Sequence, residues 1–196
     1  MKDSLNRVCV FCASSSKVND IYSKAANDLG VSLAGEGIAM NYGGGAVGLM
    51  GEISNAMLKN GGEVRGVIPK FMVEVEWEHK GVEDMIHVDT MAERKKLLVE
   101  DVDAVISLPG GTGTLEELFE VLSNKKLGLF NKPVILVNTN GFFNPLIDLL
   151  NKMIEEDFMR VEHGNLWTVV DDSKDVVEVI KNVEPWTCDA FKIAAV

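Results

Sequence analysis

Residues 104–117 read Ala104-Val105-Ile106-Ser107-Leu108-Pro109-Gly110-Gly111-Thr112-Gly113-Thr114-Leu115-Glu116-Glu117. A short apolar run, stopped by a proline, passes through three closely spaced glycines into a segment with helical spacing. That is a buried strand running into a glycine turn that opens a helix. Such a turn exposes the N–H groups of a helix start, and these bind anions. The same turn delivers acidic side chains to the place where a phosphate would sit. Phosphate and carboxylate repel, so the pairing makes sense if a phosphate anchors the ligand and a carboxylate acts further along it, on a sugar. Thr114 and Glu117 also spell a capping box, with Thr at the N-cap and Glu at N3, which would satisfy helix-start donors without any ligand. A capping box alone needs neither Pro109 nor glycine at 110, 111 and 113.

Outward from this turn, β and α patterns alternate along the whole chain. Arg7–Phe11 reads as a strand, and Ile21, Ala25, Leu29 and Leu33 mark one helix face. Residues 38–41 form the next strand, followed by Gly43-Gly44-Gly45 and a helix with Val47, Met50, Ile53 and Met57 inward. Strands follow at residues 63–68, 85–88, 104–108, 134–137 and 166–170, separated by helices at 91–100, 115–122 and 145–156, with a last helix at 173–182. Alternation at these lengths means a parallel sheet covered by helices on both faces, an α/β Rossmann-like fold in one domain. That domain spans residues 1–184, and the tail 185–196, with Trp186 and Phe191, reads as irregular. Ligands in such sheets bind beyond the carboxyl ends of the strands. Three small-residue loops qualify: Cys12–Lys17, Gly43–Gly48 and Pro109–Thr114.

The chain has 196 residues and a net charge of −11, from 19 basic and 30 acidic side chains. That balance argues against nucleic acid or an anionic membrane as partner. No stretch approaches the roughly 20 apolar residues of a membrane span. Residues 1–4 lead straight into a strand, so a cytoplasmic location is expected. The three cysteines have no framework spacing, and Cys9-x-x-Cys12 lacks a second pair; buried free thiols are expected, with no metal site and no cofactor.

Gly43, Gly45 and Gly48 satisfy G-x-G-x-x-G between a strand and a helix. The dinucleotide fingerprint also wants an acid at the end of the next strand, and that strand ends Ile68-Pro69-Lys70. A nicotinamide or flavin site is therefore disfavoured. The glycine run, Gly44 and Gly45 included, instead lets backbone approach a mononucleotide or packs helix against strand. Thr90 and Glu93 form a second capping box, which places Arg94, Lys95 and Lys96 in the first turns of a helix. The helix dipole disfavours cations there, so these bases suggest a phosphate or carboxylate partner, and removing one should leave stability unchanged or slightly raised. His79, His87 and His163 are scattered. Glu74, Glu76, Glu78 and Glu83 surround Trp77 in a loop or short helix from which spacing alone selects none.

Pro109-Gly110-Gly111-x-Gly113-Thr114-x-x-Glu117, preceded by Glu93-Arg94-Lys95, resembles the Lonely Guy family of cytokinin riboside monophosphate phosphoribohydrolases. The resemblance runs from Val8-Cys9-Val10-Phe11-Cys12 through Tyr42-Gly43-Gly44-Gly45-x-Val47-Gly48-Leu49-Met50-Gly51 and Gly66-Val67-Ile68-Pro69 to the helix near Leu150. It implies hydrolysis of the N-glycosidic bond of a nucleoside 5′-monophosphate, releasing the base and ribose 5-phosphate. Arg94 and Glu117 match the family's catalytic pair. Glu76, Lys95, Ser123 and the turn Gly110, Gly111, Thr112, Gly113, Thr114, Leu115 and Glu116 match its substrate contacts. The family is similar to AMP nucleosidases, and its members are commonly homodimers. Leu98 stands where the family's R-K-x-x-M has Met. Ala13 replaces the Gly of C-G-S-S, which restricts φ and bears on how closely Ser14 and Ser15 approach a ligand. No residue set supports lysine decarboxylation.

Cleavage of such a bond builds positive charge on the anomeric carbon. Glu117 at a helix start can face it as an anion, while Glu116, about 100° round the helix, cannot address the same atom. Arg94 is expected to hold phosphate or ribose oxygens as a planar fork. The alternative is a nucleotide or molybdenum-cofactor carrier, which this glycine turn also resembles, binding without turnover.

Overall fold

The computed structural model describes residues 5–73, 77–184, 186 and 190–193. Seven parallel strands form one sheet: β1 (Arg7–Phe11), β2 (Ala39–Tyr42), β3 (Val64–Pro69), β4 (Asp84–Val88), β5 (Ala104–Ser107), β6 (Val134–Val137) and β7 (Thr168–Val170). Their spatial order is β4-β3-β2-β1-β5-β6-β7, every pairing parallel. The helices are α1 (Asp20–Gly35), α2 (Gly48–Lys59), α3 (Met91–Val99), α4 (Thr112–Lys126), α5 (Asn144–Glu155), α6 (Val176–Asn182) and α7 (Ala190–Ile193).

The strand pleat divides the core in two. On β1, Val8 and Val10 join a cluster with Leu29 and Leu33 of α1, Ile53 and Met57 of α2, and Val177 and Ile180 of α6. Cys9 and Phe11 join the opposite cluster, with Leu98 of α3, Leu118 and Leu122 of α4, and Leu150 of α5. Both faces are therefore covered, as near-continuous apolar strands require. Ile21, expected inward on α1, is 43 % exposed, whereas Ala25, Leu29 and Leu33 of the same face are buried. The tail, expected to be irregular, contains the single helical turn α7. No helix among the described residues is long and apolar enough to cross a membrane.

The chain builds β1 to β4 outward on one side, then returns to lay β5 against the other flank of β1. At this switch point the loops after β1 and β5 diverge and leave a crevice. Two contacts fix its rim: Ala13 N–H donates to the Pro109 carbonyl at 3.2 Å, and Met50 N–H donates to the Ala13 carbonyl at 3.2 Å.

Candidate active site

Beyond the carboxyl ends of β1, β2 and β5 lies a cavity of about 350 Å³. All three glycine-bearing or small-residue loops contribute: Ser14 and Ser15 after β1, Gly43 after β2, and Gly111 to Thr114 after β5. Arg94 and Glu117 face it from α3 and α4, and Met50, Met72 and Met91 give it a soft apolar wall. A larger groove of about 1040 Å³ lies at the far edge of the sheet, between Trp167, Val179 and Trp186. The described residues lining it include neither the glycine turn nor Arg94, so the smaller cavity is the one that gathers the chemistry.

Helix α4 starts three residues earlier than the capping-box spelling suggests. Gly111 is the N-cap, with extended backbone (φ −86, ψ −159), and no side chain caps it. Thr114 lies inside the first turn and Glu117 in the second, so Glu117 is not a helix cap. Gly111 serves because an extended N-cap needs no side chain when the donors face a cavity. The N–H groups of Thr112, Gly113 and Thr114 thus belong to a helix start that opens on the crevice. Gly110 lies behind the turn, packed so closely under Thr114 that an added Cβ would stand 2.1 Å from Thr114 Oγ1.

Helix α3 begins as expected, with the Thr90–Glu93 capping box intact. Arg94, only 6 % exposed, turns inward. Its Nε donates to the Val67 carbonyl at 3.1 Å and its Nη2 to the Gly43 carbonyl at 3.0 Å. Its Nη1 stands 3.5 Å from Glu117 Oε1. Lys95 turns the other way and pairs with Glu116 at 2.5 Å and with Glu120. The cations at this helix start are thus matched by acids of α4, a compensation that the dipole argument alone did not contain.

Periodicity separates the two glutamates as expected: Glu117 faces the cavity and Glu116 joins the Lys95 clasp. Leu115 packs against the apolar core instead of lining the cavity. Ser123 is exposed, its hydroxyl donating to the Phe119 carbonyl at 2.7 Å. Gly44 and Gly45 lie away from the cavity wall. Gly44 adopts φ +83 beneath Ile68 and Met85, and Gly45 pairs in a backbone bridge with Glu78. Glu74 and Glu76 lie outside the described residues. Glu78 is tied to Lys80 and to His87, the latter at 2.6 Å, and Lys80 beside it holds its carboxyl below the usual range.

Ser14, Ser15 and Gly43 lie in two of the loops expected to face a ligand, whereas Met50, Met72 and Met91 line the cavity without having been expected there. Ala13 does not take a positive φ, so its methyl is accommodated and both serines still reach the cavity. Leu98 is fully buried in the core and its carbonyl accepts from Asn41 Nδ2 at 3.1 Å. Cys9 and Cys12 are free and buried. Burial, with the Glu117 carboxylate adding to it, pushes both thiols up and keeps them protonated. They form a neutral, low-polarity wall behind Glu117, which strengthens charge interactions there.

A protein-family profile described as "Possible lysine decarboxylase" matches residues 50–180. Cytokinin riboside 5′-monophosphate phosphoribohydrolase LOG5 of Arabidopsis thaliana is 37 % identical over 94 % of this chain and 81 % of its own length. LOG4 of the same plant, under the same description, is 39 % identical over 94 % of this chain and 86 % of its own. The chain belongs to the Lonely Guy family. Among solved structures, the molybdenum cofactor carrier protein of Chlamydomonas reinhardtii superposes with TM-score 0.69 at 20 % identity, covering 91 % of this chain and 97 % of that one. A molybdenum cofactor binding protein from Rippkaea orientalis gives 0.68 at 26 %, covering 91 % and 96 %. The first of these likenesses shows a shared fold. No lysine is among the described residues lining the cavity.

Proposed function

We propose that the protein hydrolyses the N-glycosidic bond of adenosine 5′-monophosphates, N6-substituted ones included, releasing the free base and ribose 5-phosphate. The observation that carries this is the uncapped start of α4 opening on a cavity where Glu117, one turn further along the same helix, faces inward beside Arg94. The helix-start N–H groups take the phosphate. The ribose then lies towards Glu117, whose carboxylate stabilises the oxocarbenium-like carbon, attacks it, or orients water. Arg94, already held by two carbonyls, keeps that carboxylate in place and offers its Nη1 edge to the sugar side. The methionine wall receives the base, and methionine adapts readily to a flexible apolar substituent. A volume of about 350 Å³ suits a mononucleotide, near the lower end of the usual range of about 300–1,000 Å³ for small-molecule sites.

The same proposal covers a cytoplasmic location and a homodimer, and the dimer is supported by the exposed Phe71 and Trp77. Molecular mass in solution tests the dimer. Incubation with AMP, isopentenyladenosine monophosphate and adenosine, with release of base followed, tests the activity. Monophosphates should be cleaved and adenosine rejected by up to about 10⁴-fold, because the riboside leaves the α4 donors without a partner. Binding without release of base would favour a carrier. Equal turnover of adenosine and AMP would remove the phosphate anchor.

A further inference from the structure

Gly43 follows β2 directly, and its backbone does not occupy the left-handed region, so a larger residue could adopt its conformation. What a side chain would meet is the catalytic machinery. A Cβ at Gly43 would stand 2.4 Å from Arg94 Nη2 and 2.9 Å from Met50 Sδ, both far ends of flexible side chains. The same Nη2 donates to the Gly43 carbonyl at 3.0 Å. We infer that Gly43 is a positioning residue for the hydrolysis: by lacking a side chain it lets the Arg94 guanidinium rest on its carbonyl and aim Nη1 at Glu117. This assignment rests on the proposed roles of Arg94 and Glu117.

The neighbouring glycines do different work. Gly44 needs its positive φ and would crowd Ile68, and at Gly48 (φ +61) a Cβ would stand 2.4 Å from the backbone of Ser14. Those two serve the chain's path. A motif that looks like one nucleotide fingerprint is thereby split between backbone geometry and the seating of a single arginine.

Alanine at position 43 should push Arg94 aside and leave the fold intact. The test compares Gly43→Ala, Arg94→Ala and the double variant in melting temperature and in kcat and KM for AMP. The expected result for Gly43→Ala is a folded protein whose melting temperature falls no further than that of Arg94→Ala, a kcat loss of about 10- to 100-fold, and KM changed by less than about threefold. In the Arg94→Ala background the same substitution should cost less than about twofold, since its target is gone. Full kcat in Gly43→Ala, or an equal loss in both backgrounds, would overturn the assignment. Should Gly43→Ala fold poorly, Arg94→Ala must restore stability by removing the crowded guanidinium, and failure to do so overturns it as well. This stability coupling is read without substrate. A wild-type protein inactive on AMP and isopentenyladenosine monophosphate would therefore sink the proposed function, while the coupling still decides the role of Gly43.

Discussion

Arg94 Nη1 stands 3.5 Å from Glu117 Oε1, and the two side chains are only 7 % and 11 % exposed. Two backbone carbonyls, Val67 and Gly43, hold the other side of the guanidinium. The pair is thus set in place before any substrate arrives, from two helices on one face of the sheet. A charge fixed in a protected site costs no reorganisation when positive charge develops opposite it.

Glu117→Gln keeps an oxygen beside Arg94 but removes the negative charge. The rate should fall by at least about 10²-fold. Because Glu117 is a buried partner of Arg94 and not a helix cap, stability should drop by about 1–3 kcal/mol. Turnover per folded molecule, measured beside a urea melt, checks both. A variant that loses stability and keeps its turnover would make Glu117 purely structural.

Arg94→Lys keeps the charge and loses the fork. An ammonium cannot bridge the Val67 and Gly43 carbonyls while also facing Glu117, so activity should fall almost as far as in Arg94→Ala. Stability should fall too, by about 1–3 kcal/mol, since buried carbonyls lose their donor. That reverses the helix-dipole expectation of unchanged or slightly raised stability. Near-normal kinetics in this variant would show that charge alone is needed.

Lys125, 3 % exposed on α4, has its pKa pushed down by burial from 10.5 to about 8. At pH 7 the lysine is charged in both states, and burying it costs on the order of 3 kcal/mol. Between pH 8 and about 10 the unfolded chain binds more protons than the native one, so this cost fades as pH rises. Lys125→Met should therefore stabilise the protein at pH 7 by about 1–3 kcal/mol, with the gain shrinking towards pH 10. Denaturant melts of both proteins at the two pH values measure it; an equal gain at both would show that burial of the charge is not the cause.

Much of the architecture could be read from alternation alone. Val8-Cys9-Val10-Phe11 is apolar throughout, as a strand buried on both faces must be, and the three small-residue loops do meet at one cavity. Helical period separated Glu117 from Glu116, and the family resemblance chose Glu117 between them. The start of α4 was misread because Thr114-x-x-Glu117 carries the letters of a capping box, whereas the true N-cap, Gly111, announces itself with no side chain. The bases at 94–96 looked like phosphate seekers because the acids that answer Arg94 and Lys95 lie on another helix. Gly43 was hidden for a similar reason: a glycine records that something comes close, and only the fold says that it is Arg94 and not a ligand.

The position of β1 at the switch point carries a consequence for how the chain comes to be folded. Val8 pairs on one side with Met40 and on the other with Ala104. A nascent chain can lay β2 to β4 against β1 early, but the second flank of β1 stays open until β5 has been synthesised. Such distant pairings are slow to close and leave strand edges bare in the interval. Arg94 is made before that closure and Glu117 after it, so the pair proposed as catalytic forms only once the sheet is sealed. Partly folded chains therefore expose an edge without acquiring activity, and appearance of hydrolysis during refolding would report completion of the sheet itself.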